Sequence, residues 1–309
     1  MGLTESANVA LVIFIAHMTT LALLVIFCFI YMVENPHVFS DNWNSSYWDE
    51  VSDRNFMAKF FFGFCSGLLG ISGFESAANF IEEQKPGVFS KALRNMWMAT
   101  GFFNTALAFL AMGVVENSQI VQYDDPSSSG EGLYVENDQL LADMAQQATK
   151  GFVEPDDRGW LSTLVSIDAV CVLSGAVLTG YVGVCGLVRR MSLDRCLPQF
   201  LNRTNKIRGT NHYIIISFFL VTSSLFIIVQ GDTTTIAGVY GIAFLGVMCY
   251  FSVAAMLLKF KRSRLPRETK APWASVVVAF LMVFAGMMGN IINVWRSSLL
   301  DSIILLFLS

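Results

Sequence analysis

The chain has 309 residues, of which 54% are apolar and only 14% are charged, and its mean hydropathy is +0.55. A soluble domain carries about 25% charged residues, so this composition excludes an ordinary water-soluble domain and indicates lipid as the solvent. The net charge of -4 is small, and the placement of the charges along the chain is therefore more informative than their sum.

Seven long segments with few or no charges follow one another along the chain. A helix needs roughly 20 apolar residues to cross about 30 Å of hydrocarbon, and backbone exposed to lipid must satisfy its own hydrogen bonds. We therefore predict an all-α membrane protein, with one transmembrane domain over residues 1–309 and seven full spans. The predicted spans cover residues 9–33, 58–81, 95–115, 160–188, 213–230, 234–258 and 272–295, and a truncated eighth covers 302–309.

The first predicted span carries His17, the only histidine inside any of the seven. The segment is too long, and too poor in basic residues at its start, for a cleaved signal peptide. A histidine gains and loses a proton near neutral pH, which makes His17 a candidate for proton sensing. An ordinary hydrogen bond between helices is the alternative interpretation.

The second predicted span combines glycines with an acid. Each glycine lowers helix stability by roughly 1 kcal/mol relative to alanine, and a carboxylate deep in the bilayer costs a few kcal/mol or more. With Glu75 beside the last glycine, the pattern predicts a helix broken at Ile71–Gly73, whose free peptide groups meet a ligand. A packing face of small residues is the alternative. The glycines are Gly63, Gly67, Gly70 and Gly73.

Most of the 20 lysines and arginines lie in alternate loops, namely those after the second, fourth and sixth spans. The positive-inside rule places these loops in the cytoplasm, so the first span is predicted to run outward. Loops 34–57 and 116–159 are then extracellular. The second of them is acidic, which suits attraction of a cationic substrate or a simple solvated surface.

The fourth predicted span carries one acid, Asp168, eight residues after Trp160. At 1.5 Å per residue it lies about 12 Å from the start of the helix. An acid at that depth is a functional candidate, which either faces an outer cavity, together with Thr163, Ser166 and Ser174, or pairs with a neighbouring helix.

Other kinds of site have no sequence support. The six cysteines form no Cys-x-x-Cys pair, so we predict neither a disulfide nor a metal site. Phosphate-loop, zinc-protease and serine-hydrolase patterns are absent from the sequence. We therefore expect no catalytic residues, no cofactor and no enzyme activity.

Several short stretches, in this order and spacing, resemble the amino acid–polyamine–organocation superfamily of permeases. The glycine–Phe74–Glu75 core is similar to the sixth span of that family. Ser90 stands where the family usually has a second proline, and Arg195 where it often has a glycine. The matching stretches are Gly2 with Glu5-Ser6-Ala7, Gly73-Phe74-Glu75-Ser76, Glu82-Glu83 with Pro86, and Arg189-Arg190 with Asp194 and Leu197-Pro198.

The resemblance implies a partial inverted-repeat bundle of the LeuT-like type, a fragment that covers spans five to eleven and the start of twelve. It implies that Glu75 is a gating or proton-responsive acid. Asp168, singled out above by its depth in the fourth span, is a further gating candidate. His17 falls where many proton-coupled relatives carry a lysine. The implied substrate-binding residues are Leu69, Gly70, Ile71, Ser72, Gly73 and Phe74.

The predicted function is secondary active transport of an amino acid or related organic cation, with protons or sodium as the coupling ion. We expect a multi-pass protein of the lipid bilayer, in the plasma membrane or else an endomembrane, with no nucleic-acid partner. The alternatives are a cation–chloride cotransporter-like carrier, a seven-helix receptor, and a fragment that by itself transports nothing.

Overall fold

The computed structural model describes residues 3–44, 55–79, 84–85, 87–124, 133–136, 139–150, 159–205, 209–262 and 271–296. Two 3₁₀ segments, Leu68–Ile71 and Gln199–Asn202, interrupt the helical order. The α-helices are α1 (Leu3–Glu34), α2 (Pro36–Asn44), α3 (Phe56–Gly67), α4 (Phe74–Asn79), α5 (Val88–Val114), α6 (Asn117–Ile120), α7 (Leu140–Thr149), α8 (Trp160–Leu193), α9 (His212–Ile228), α10 (Thr233–Lys261) and α11 (Trp273–Arg296).

In this part of the chain, five helices are long and apolar enough to cross a membrane. Two further apolar helices, Phe56–Ile71 and His212–Ile228, are shorter. They correspond to the second and fifth predicted spans, so the count of seven stays a prediction while the helical nature of these segments is observed. The five long segments are Asn8–Glu34, Val88–Val114, Trp160–Leu193, Thr235–Lys261 and Trp273–Ile292.

The chain departs from an all-α class in one predicted loop. Strands β1 (Val121–Asp124) and β2 (Leu133–Glu136) pair in antiparallel fashion, with Val121 opposite Glu136 and Asp124 opposite Leu133. Alternate residues of both strands are apolar or aromatic, as suits a pleated ribbon. The hairpin lies within the predicted loop 116–159, and the predicted spans that are described remain helical.

The structure divides into two compact units, each described by itself. The first comprises Met1–Asp53 and Met98–Gly180, and the second comprises Arg54–Trp97 and Tyr181–Ser309. Helices α5 and α8 each contribute residues to both.

Apolar packing in the first unit joins α1, the end of α5, α7 and the start of α8. Helix α7 comes from the predicted loop 116–159, yet Met144 and Ala145 are fully buried. That loop is therefore partly folded against the helices, in contrast to the simple solvated surface that its acidity suggested. The buried cluster consists of Leu24, Cys28, Leu110, Ala111, Val114, Val115, Met144, Ala145, Ala148, Leu161 and Val165.

A pair of buried asparagines closes the end of α5. The amide nitrogen of Asn42 donates to the carbonyls of Met112 and Val115, both at 2.8 Å. In return, the backbone N–H of Asn117 donates to the side-chain oxygen of Asn42 at 3.0 Å. The last carbonyls of a helix have no partner within it, so Asn42 satisfies groups that the end of α5 leaves open and holds α2 there.

In the second unit, α11 packs closely on α3. A Cβ on Gly289 would overlap Sγ of Cys65 and would lie 3.1 Å from Cε1 of Phe61. The side-chain amide of Asn290 donates to the carbonyl of Cys65 at 3.1 Å. Small residues let membrane helices approach closely, and here they bring α11 against the last turn of α3.

We expect Gly289→Ala to lower the midpoint of thermal unfolding of the detergent-purified chain. The new methyl group overlaps Cys65, and overpacking of this kind costs about 1–3 kcal/mol. Gly246→Ala is the matched control, because its Cβ would meet no described atom within 4 Å. Equal midpoints for the two variants would contradict the close α3–α11 contact.

Candidate functional site

The helix that begins at Phe56 is interrupted where the sequence predicts. Helix α3 ends at Gly67, a 3₁₀ turn covers Leu68–Ile71, and α4 begins at Phe74. Between them Ser72 has φ -55° and ψ 143°, and Gly73 has φ +104°. Side-chain-bearing residues rarely adopt such a positive φ, so glycine at position 73 is what permits the interruption.

Two backbone N–H groups at the interruption donate to local partners in place of α-helical ones. The N–H of Ser72 donates to the carbonyl of Leu69 at 3.1 Å. The N–H of Gly73 donates to both carboxylate oxygens of Glu75, at 3.0 and 3.2 Å. A carboxylate in the first turn of a helix is favoured by the positive end of the helix dipole. Glu75 therefore binds its own backbone two residues back.

Two neighbouring helices of the second unit contact the interrupted segment. From α10, the hydroxyl of Tyr240 donates to Oγ of Ser72 at 2.5 Å, and the methyl groups of Leu69 lie 3.4 Å from where a Cβ on Gly241 would be. From α11, Asn290 binds the carbonyl of Cys65, as described above. Sequence reasoning missed Tyr240 and Asn290. Asn290 could have been found, because an asparagine in an uncharged span commonly forms a hydrogen bond to a neighbouring helix. Nothing in the sequence around Tyr240 indicated its contact.

The six predicted substrate-binding residues form one continuous segment of differing exposure. Gly70 and Ser72 are exposed, and the other four are half-buried. The backbone is 3₁₀ up to Ile71, has φ -55° and ψ 143° at Ser72 and a positive φ at Gly73, and Phe74 starts the next helix. The residues are Leu69, Gly70, Ile71, Ser72, Gly73 and Phe74.

The structure pairs two further candidates, His17 and Asp168, within the first unit. Nδ1 of His17 lies 2.7 Å from Oδ2 of Asp168, and their side chains are 33% and 9% exposed. Asp168 follows buried Val165 by three residues, and His17 precedes buried Leu24 by seven, so each lies on the helix face that packs in the core. The pair joins α1 to α8.

An ionised histidine next to a carboxylate makes a charge-assisted hydrogen bond, which is stronger than a neutral one. The strength of the α1–α8 contact therefore depends on whether His17 carries a second proton. Of the two alternatives for Asp168, pairing with a neighbouring helix is the one observed.

A separate cavity of about 450 Å³ lies between α7 and α8, and Thr163 and Ser166 are among the residues that line it. Asp168 is two residues beyond Ser166, about 200° around the helix, and does not line this cavity; nor does Ser174. Asp143 of α7 supplies an acidic group to the lining.

Among the residues that the structure describes, no group of three or more histidines, cysteines or acids is placed to hold a metal ion.

Comparison with protein families decides the identity of this helical chain with an interrupted span. The family model described as "Amino acid permease" matches residues 1–308. The chain belongs to the amino acid permease family. No curated protein and no solved structure matches it. The match confirms the resemblance seen in the sequence and, with the five apolar helices, makes this permease a multi-pass integral membrane protein of an amino-acid transporter family. It does not favour the cotransporter or receptor alternatives.

We expect Gly73→Ala to destabilise the permease, because a side-chain-bearing residue at φ +104° is strained by about 1–3 kcal/mol. Gly67→Ala is the matched control in the same segment. Gly67 has an ordinary helical φ of -61°, and alanine there is stabilising by roughly 0.5–1 kcal/mol. The thermal midpoints of the two purified variants measure the difference, and a stability at least as high for Gly73→Ala would contradict the observed backbone.

Proposed function

We propose that this permease is a secondary active transporter of amino acids or related organic amines, and that it works by alternating access around the interruption between α3 and α4. The observation that carries the proposal is the loss of α-helical hydrogen bonding over residues 68–73, where a 3₁₀ turn and a glycine of positive φ replace it. Lipid-exposed backbone must be satisfied internally, so an irregular segment in an apolar helix belongs where it lines a polar cavity. Broken helices of this kind form the substrate sites of inverted-repeat transporters.

The two half-helices suit a zwitterion. Helix α3 ends in carbonyl groups, with the negative end of its dipole at the interruption, and α4 begins there with its positive end. An ammonium group is complementary to the first and a carboxylate to the second. We propose that the substrate binds along Leu69, Gly70, Ile71, Ser72, Gly73 and Phe74, with its side chain toward Leu69 and Phe74.

In this proposal Glu75 is the gate. Its carboxylate holds the N–H of Gly73, which is the kind of contact that a substrate carboxylate makes. Release of Glu75, on protonation or on movement of α4, frees that N–H. The gating role is therefore an exchange of one carboxylate for another at the same backbone donor.

The coupling ion in this proposal is the proton, and the His17–Asp168 pair takes it up. Histidine is the side chain whose charge changes most readily between about pH 5 and 8, and Asp168 lies 2.7 Å from Nδ1 of His17. Sodium is the alternative coupling ion.

We propose the plasma membrane as the location of the permease, with an endomembrane as the alternative.

We expect the full chain, reconstituted in proteoliposomes, to accumulate a radiolabelled mixture of L-amino acids. Accumulation should saturate with concentration and depend on an imposed proton gradient, because secondary transport draws its energy from an ion gradient. Liposomes without protein are the control. Linear, gradient-independent leakage equal to that of the empty liposomes would refute transport by this chain.

We expect His17→Ala to abolish the dependence of uptake on external pH between about pH 5 and 8. Uptake by the wild type should rise as the external pH falls, because a higher proton concentration outside supplies more of the coupling protons that cross the membrane with the substrate. Asp168→Asn should flatten the same profile by removing the partner charge.

The matched control for this test is His37→Ala, because His37 lies on α2 outside the predicted spans and is exposed. Its profile should follow the wild type. An unchanged pH profile in His17→Ala would exclude His17 as the proton site.

A further inference from the structure

The cavity between α7 and α8 has no role in the proposed transport cycle. It belongs to the first unit, whereas the interrupted segment belongs to the second. Its volume of about 450 Å³ is within the range of small-molecule sites, which is about 300–1,000 Å³. The cavity is therefore large enough for an organic molecule of modest size.

Helix α7 presents a polar face to this cavity. Its opposite face packs in the core, where Met144 and Ala145 are fully buried. Asp143 and Gln146 lie on the cavity face, about one turn apart, and Asp143 is half-buried. Among the described residues that line the cavity, Asp143 alone carries a charge. A carboxylate that is partly shielded from water attracts a cation more strongly than one on an open surface.

Helix α8 supplies a buried hydroxyl to the same cavity. Ser162 lines it and is only 7% exposed. Within the described part of the chain, the hydroxyl of Ser162 has no hydrogen-bond partner. Buried polar groups are nearly always paired, so a partner for Ser162 has to come from within the cavity.

The lining becomes apolar further along α8. Ile167 and Val170 also line the cavity and are more than half exposed. Val170 follows Ser162 by eight residues, which is about 12 Å along the helix axis. One end of the cavity thus offers a carboxylate and a hydroxyl, and the other end offers aliphatic side chains.

We propose that this cavity is a second binding site, which takes an organic ammonium with an apolar body. The ammonium donates to the carboxylate of Asp143 and to Oγ of Ser162, and the apolar body lies against Ile167 and Val170. This site goes beyond the proposed function, because it lies in the other unit and its ligand needs no carboxylate. A soluble amine and the head of a lipid such as phosphatidylethanolamine share this chemistry.

The test is equilibrium binding of radiolabelled 2-phenylethylamine to the full chain purified in detergent. A saturating mixture of unlabelled L-amino acids is present throughout, so that amine bound at the interrupted segment is displaced. Competition with unlabelled 2-phenylethylamine and with 2-phenylethanol, which has a hydroxyl in place of the ammonium, gives the two dissociation constants.

We expect the wild type to bind the amine at least about ten-fold more tightly than the alcohol, because only the amine is charged. Asp143→Asn should weaken the amine about ten- to hundred-fold and leave the alcohol unchanged, which also shows that this variant is folded. Ser162→Ala should weaken the amine about three- to ten-fold, the effect of one neutral hydrogen bond.

Two matched control variants should bind both compounds as the wild type does. Asp41→Asn removes an exposed carboxylate of the first unit, on α2, that does not line the cavity. Ser174→Ala removes an exposed hydroxyl of α8 that does not line it either.

Nanodiscs distinguish the two sources of the ammonium. If a lipid head occupies the site, the probe should bind more weakly in nanodiscs that contain phosphatidylethanolamine than in phosphatidylcholine alone, whose quaternary ammonium has no N–H to donate. Asp143→Asn should then remove the difference. If the natural ligand is a soluble amine, the two kinds of nanodisc should give equal binding.

Equal affinity of the wild type for the amine and the alcohol would overturn the second site, as would an unchanged amine affinity in Asp143→Asn. Complete displacement of the probe by the L-amino acids would place the amine at the interrupted segment and would overturn it too. A chain that transports no amino acid but binds the amine in this way would refute only the proposed function.

Discussion

Backbone surrounded by hydrocarbon has no water with which to form hydrogen bonds, and every helical interruption must find its own partners. The interruption between α3 and α4 follows a short apolar helix, and several polar groups at and beside it have such partners. Ser72 turns its N–H back to Leu69, and Glu75 takes the N–H of Gly73. Asn290 reaches from α11 to a carbonyl at the end of α3. The interruption is thus built into the packing of three helices rather than left as a gap in one.

The same requirement explains the polar groups of the first unit. Burial of an unpaired charge is costly, and buried polar side chains are accordingly found with partners. Asp168 is 9% exposed and has His17 at 2.7 Å, while the side chain of Asn42 binds the backbone N–H of Asn117 and two carbonyls at the end of α5. The His17–Asp168 contact joins two helices, α1 and α8, that also meet through apolar packing, as Leu24 and Val165 show.

Glu75 and His17 illustrate two different uses of a titratable group in such a protein. Glu75 is bound to the backbone next to it, so its environment is local to the interruption. His17 is bound to another helix, so a change in its charge acts on the contact between α1 and α8. The proposed transport cycle uses both, the first to expose a backbone donor and the second to respond to protons.

Sequence and tertiary structure contributed different parts of this description. The composition of each segment was sufficient to predict the apolar helices, because the length and the lack of charge that a lipid environment requires are properties of one segment by itself. The break at Ile71–Gly73 was also predictable, since glycine and Glu75 act on the backbone within a few residues. The family was predicted from the order and spacing of several short sequence motifs, and the match to the family model confirms that prediction.

Only the tertiary structure decided which polar residues meet. His17 and Asp168 were singled out separately, but they are 151 residues apart and nothing local to either one specifies the other. Tyr240 and Ser72 are 168 residues apart, and the tyrosine looked like any aromatic residue of an apolar span. The burial of α7 likewise depends on the helix ends against which it packs. Local sequence determines which segments enter the membrane and where one of them breaks, whereas partners are set by the packing of distant helices.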